Sequence, residues 1–144
     1  MKDKEERKRG WLLNFIKKFA LENEIPFQTL KNGRIALTVR SRFHLLYIVF
    51  QVRDDNDGYE FFVPILEVPK HRRKEIAEAA ISEAYREISP VLPYDDNRLL
   101  LYGSARGLKR ASEVKIREGI LDVMGRVVGY DNEKFPVFKQ ILSR

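Results

Sequence analysis

The chain has no cysteine among its 144 residues. Disulfide frameworks, thiol nucleophiles and thiolate metal sites are therefore excluded. Its two histidines, His44 and His71, have no partner at metal-ligand spacing, so a zinc site of the usual kind is not expected. The eight glycines and six prolines are scattered. They form no Gly/Ser linker, low-complexity tract or repeat, which predicts a single domain over 1–144, with residues 1–9 as a flexible charged N-terminus. No apolar run approaches the roughly 20 residues that cross a bilayer. The start MKDKEERKRG is charged and leads into an amphipathic segment, unlike a secretory signal. The expectation is a cytoplasmic protein with no membrane partner. Phosphate-loop, dinucleotide, nucleophile-elbow and metalloprotease motifs are all missing, so no catalytic residue, metal or cofactor is expected. The acidic turn at residues 54–60, DDNDGYE, fails as a calcium loop. With Gly58 as the sixth position, Arg53 and Pro64 fall where carboxylates are required.

What is present is a soluble globular composition: 44% hydrophobic, 33% charged and 11% aromatic residues, net charge +6. That balance permits an anionic partner without demanding one. Residues 4–23 carry Trp11, Leu12, Phe15, Ile16 and Phe19 at three- and four-residue spacing, which predicts a first helix stopped by Pro26. Alternation then takes over. A short strand at 26–30 turns through Asn32-Gly33 into RIALTVR at 34–40. Residues 43–52, FHLLYIVFQV, are apolar on both faces and read as a central strand, with His44 at its start. A third long strand covers 59–68, where Pro64 implies an edge or a bulge. A second helix is predicted from Pro69 to about Ile88, with Ala77, Ala80 and Ala84 in its stripe. A hairpin arm at 91–94 and a strand at 98–103 follow. Ser112 is placed as the N-cap of a third helix ending near Val128 before Gly129, and 132–142 as a short last helix. The expected fold is α+β: an antiparallel sheet of about five strands, order α-β-β-β-α-β-β-α, with helices on one face.

Such a sheet leaves its second face open. On residues 43–52 one face carries Phe43, Leu45, Tyr47 and Val49, the other Leu46, Ile48, Phe50 and Val52. An apolar face of that size must be covered by a terminal helix, a second subunit or a partner's segment. The candidate partner-binding residues are Trp11, Phe15 and Phe19 on the first helix, with Phe61 and Phe62 on the third long strand. The first-helix aromatics either seal the sheet or belong to a helix that can be displaced.

Three basic groups are the other candidates: Lys2 to Arg9; Lys70, Arg72, Arg73 and Lys74 beside His71; and Arg106, Lys109 and Arg110. Phosphate binding needs such charges on one face. Acids are interspersed, and no helix-turn-helix or aromatic ribonucleoprotein motif accompanies them. The four cations at the second helix's start oppose its dipole, by a few tenths of a kcal/mol each when exposed, so a bound anion or an acidic partner would compensate there, unless the cost is simply tolerated.

The chain resembles the type III secretion chaperone-like fold and, within it, the YbjN-like family. The resemblance spans residues 11–142. It rests on GWLLNFIKKFALE, the strands RIALTV, FHLLYIVFQV and YEFFVPILEVP, the helix start KHRRKEIAEAAISEAY, then RLLLYGSA and DNEKFPVFKQIL. Val68-Pro69, the alanine stripe and Phe135-Pro136 match family features. The resemblance implies an α+β fold, frequent dimerisation, and protein or peptide binding or regulation rather than catalysis. The leading reading is thus a non-enzymatic protein-binding or regulatory module, a homodimer, with no cofactor. The alternative is a nucleic-acid-binding accessory protein.

Overall fold

The computed structural model describes residues 10–144, so the charged segment at 1–9 and the group Lys2 to Arg9 lie outside the described residues. Helix α1, Trp11–Glu22, is stopped by Asn23 and by Glu24 at φ 53, ahead of Pro26. It buries Leu12, Ile16, Phe19 and Ala20, one face of the predicted stripe. Strands β1 (Phe27–Leu30), β2 (Arg34–Arg40), β3 (Leu45–Val52) and β4 (Tyr59–Glu67) follow. After them come α2 (Arg73–Ala80), β5 (Ser89–Val91), β6 (Arg98–Ala105) and α3 (Glu113–Leu142). The six strands form one antiparallel sheet in the order β1-β2-β3-β4-β6-β5. The fold is therefore α+β, with one strand more than the sequence suggested. Among the described residues no helix is long and apolar enough to cross a membrane.

Each long strand alternates. Ile35, Leu37 and Val39 of β2 join Leu46, Ile48 and Phe50 of β3 and Tyr59, Phe61 and Val63 of β4. Leu99 and Leu101 of β6 complete the buried layer. Against it pack α1, Ile76 and Ala80 of α2, and Ile116, Ile120, Val127, Tyr130, Phe138 and Ile141 of α3. β4 lies inside the sheet, so Pro64 marks a bulge rather than an edge: the β4–β6 register shifts between Pro64 and Leu66. Gly103 faces Phe61 so closely that a Cβ there would meet its ring at 2.4 Å. Glycine is what lets that ring lie across β6.

Four expectations are corrected. Helix α2 ends at Ala80, not near Ile88, because α3 side chains take its last carbonyls. Tyr130 Oη donates to Ala80 O at 2.6 Å, and Lys134 Nζ donates to Ala79 O at 3.0 Å and Ile81 O at 3.1 Å. The chain then extends through Ile81, and the small strand is β5 at Ser89–Val91 rather than 91–94. The two terminal helices are one 30-residue helix that runs through Gly129 and Pro136. Its buried stripe continues through Tyr130 and Asp131, and Gly129 is a gap for Tyr85, whose Oη lies 3.0 Å from where a Cβ would stand. Finally, His44 precedes β3 instead of starting it.

Candidate docking face

All three helices pack on one side of the sheet, which leaves the other side uncovered by any described element. Strand register orders that open face into rows. Ala36 lies opposite Val49, Val49 opposite Phe62, Phe62 opposite Tyr102, and Tyr102 opposite Ser89. In the next row Thr38 faces Tyr47 across β2 and β3, and Pro64, Leu100 and Val91 are aligned across β4, β6 and β5. The flanking rows begin with Arg34, beside Gln51 and Glu60, and with Arg40, beside Leu45. Leu45 is 50% exposed, Tyr47 52% and Tyr102 38%, whereas Ala36 and Val49 in the first row are buried between their neighbours. Isolated apolar residues at a surface are ordinary; two adjoining rows are a patch.

The five aromatics singled out in the sequence do not come together. Phe19 and Phe61 are core residues. Trp11 and Phe15 are half-buried on α1; Trp11 Nε1 donates to Asn56 O in the β3–β4 turn, and Arg117 lies over the Phe15 ring at 5.8 Å. Those contacts and the buried stripe of α1 fit a helix that seals the sheet. Phe62 alone lies on the open face, under the Arg34 guanidinium at 5.6 Å. Leu45, Tyr47, Val49, Leu100 and Tyr102 complete the face. The parity of residues 43–52 pointed to the first three, whereas Leu100 and Tyr102 carried no comparable signal because β6 reads as an apolar run.

The basic groups are also separated. β4 and β6 are antiparallel, with Glu67 opposite Arg98 and Tyr59 opposite Ala105. Lys70 to Lys74 follow one end of this pair and Arg106 to Arg110 the other, about 25 Å apart by strand rise. Arg73 is turned inward: it donates to Leu92 O, Pro93 O and Asp96 O, at 3.3, 2.8 and 3.0 Å. Arg72 donates to Glu75 at 2.7 Å and to Arg144 O, and its guanidinium holds the Glu75 carboxyl below the usual carboxylate range. These partners offset the cations at the start of α2. At the far end Arg106, Lys109 and Arg110 sit near Asp55 and Asp57. Asp57 Oδ1 accepts from Lys109 N at 2.8 Å, and the Asp57 N–H, with Arg53 and Arg106 nearby, lowers the Asp55 pKa. Among the described residues the two groups thus lie at opposite ends of the β4–β6 pair.

A serine, a histidine and an aspartate do meet, at the β2–β3 turn. Ser41 Oγ donates to Asp131 Oδ2 at 2.5 Å, and His44 Nδ1 lies 2.9 Å from the same oxygen. Asp131 is fully buried, and its other oxygen, Oδ1, has no hydrogen-bond partner. Phe135 lies edge-on to the His44 ring, and Arg42 N donates to Asn132 Oδ1 at 2.7 Å. The order is wrong for nucleophilic catalysis, which needs the serine on the histidine. Here the aspartate is central, the serine also accepts from Phe43 N and His44 N, and the cluster pins the turn to α3. Among the described residues no group of three or more potential ligands could hold a metal ion. The groove beside Pro69, about 600 Å³, is open and lined by Glu67, Asp95, Asp96 and Arg98.

No protein-family model matches the sequence, and no curated protein matches it. Solved structures do. YbjN from E. coli, a candidate transcription regulator, superposes with a TM-score of 0.60 at 12% identity, over 84% of this chain and 89% of that one. A chain of the HopA1–SchA chaperone–effector complex superposes with a TM-score of 0.51 at 10% identity, over 83% of this chain and 95% of that one. The chain thus has the fold shared by YbjN and a chaperone–effector complex, as the resemblance in its sequence implied.

Proposed function

We propose that this chain is a non-enzymatic protein-binding module that takes a segment of a partner protein on its open sheet face. The observation that carries this is the pair of adjoining apolar rows, with Leu45 and Tyr47 half exposed on a face that no helix covers. A neighbour of the same fold in a chaperone–effector complex supports a protein as the partner class. The wiring of Ser41, His44 and Asp131 supports a structural rather than catalytic role for the most enzyme-like cluster among the described residues. A photo-crosslinking amino acid at position 47 or 102 tests the reading in the native host. It is expected to capture one protein reproducibly, whereas the same group at exposed Leu121 on α3 does not. The captured protein, once purified, should bind the wild-type chain and not Leu100→Asp. Equal capture from position 121, or unchanged binding by Leu100→Asp, overturns the reading.

A further inference from the structure

The open face carries a chemical bias as well as an apolar one. Arg34 and Arg40 stand on β2 at the two flanks of the apolar rows, six residues or about 20 Å apart by strand rise. Among the described residues no carboxylate lies within ion-pair distance of either, although Arg53, Arg72, Arg98, Arg117, Arg126 and Arg144 each have one. Arg34 is also partly desolvated. Its guanidinium lies against Phe62, and its Nε is buried without an acceptor. With part of its hydration lost, the rest of the Arg34 guanidinium gains most from a charged acceptor at its accessible end, and a carboxylate is the acceptor that fits it best. The acid nearest Arg34 in the rows, Glu60, pairs with Arg53 at 3.7 Å.

The dimensions select among occupants. The apolar rows cross β3, β4, β6 and β5, about 15–20 Å at the usual strand spacing, and two rows are about 7 Å apart. That strip matches a helix about 10 Å wide and three to four turns long. It falls well short of the roughly 800 Å² per partner of a standard subunit interface. A second copy would also set Arg34 and Arg40 of one chain against those of a chain whose net charge is already +6.

We propose that the occupant is an acidic amphipathic helix of the partner protein, lying across the strands, with its apolar stripe on Tyr47, Leu100 and Tyr102 and its carboxylates on Arg34 and Arg40. This rests on the docking reading above and names its partner chemistry.

The test uses the full chain as bait for a displayed library of helix-forming 18-residue peptides. The Tyr47→Asp/Tyr102→Asp double variant, first shown to be folded by its thermal melt, is the counter-bait. Sequences held by the wild type and released by the double variant are expected to carry apolar residues at i, i+3, i+4 and i+7 and a clear excess of Glu and Asp. The strongest of them should lose about tenfold or more in affinity for Arg34→Gln/Arg40→Gln, the scale of a charged pair at an interface. Neutral or basic winners, or a loss below about threefold, overturn the acidic-helix proposal and leave the docking reading standing. Failure to find any sequence that distinguishes wild type from the double variant overturns the acidic-helix proposal, while the docking reading stands or falls on the crosslinking test above. A doubled mass in light scattering that halves in the double variant assigns the face to a second copy and also overturns the proposal.

Discussion

Tyr59 is a core residue with an ionisable group. Its hydroxyl is pushed up to about 12 by burial first and the nearby Asp122 charge second. An unfolded tyrosine titrates near 10. The neutral phenol's contribution to stability is therefore complete below about pH 10, and it is lost as the pH rises through about 12. Between those limits the wild type should lose about 1–3 kcal/mol more than Tyr59→Phe, a two-unit shift at about 1.4 kcal/mol per unit. Urea midpoints of both proteins at pH 8, 10 and 11.5 measure the difference; parallel curves would show that the Tyr59 hydroxyl is not held neutral. Tyr130 is shifted in the same direction by burial and stays in both proteins, so it cancels from the comparison.

Two glycines of α3 carry opposite expectations. Gly125 has open space where a Cβ would stand, and Gly129 has the Tyr85 hydroxyl at 3.0 Å. Gly125→Ala should raise stability by about 0.5–1 kcal/mol, the ordinary gain in a helix interior. Gly129→Ala should show no such gain, because Tyr85 must move. Equal gains in denaturant midpoint would reject the packing described for Gly129. The same position shows where the sequence stopped being legible. A glycine after an apolar stripe reads as a helix end, yet this one serves a ring 44 residues away in the chain, and Asp131 interrupts an apolar stripe that is nevertheless continuous in space. The end of helix α2 is illegible for a related reason, since the group that caps it, Tyr130, lies 50 residues further on. Strands fared better because alternation is local: β2, β4 and β6 lie where their patterns put them. For the docking face the two-sided character of residues 43–52 was legible. The choice between Phe61 and Phe62 was not, because adjacent strand residues differ only in which side the helices cover.

At the scale of the molecule, most of the sheet is built from neighbours in sequence. β1 to β4 are successive hairpins, and only the β4–β6 pairing reaches past an intervening helix. The knot of Ser41, His44 and Asp131 is different in kind. It closes a loop of 90 residues and joins the last helix to the first half of the sheet. Closing so long a loop costs chain entropy that only completed structure repays, so this contact belongs late on the folding route. Asp131→Ala should then cost about 2–4 kcal/mol, the range for stranding buried polar partners, and the loss should appear almost wholly in the unfolding rate. A chevron plot would show the unfolding limb raised and the folding limb nearly unmoved; an equal drop in the folding limb would place the knot in the nucleus instead. If it does form last, the knot acts as a kinetic latch. It sets how long the native chain keeps α3 clasped to the β2–β3 turn, and has little influence on how quickly the sheet assembles.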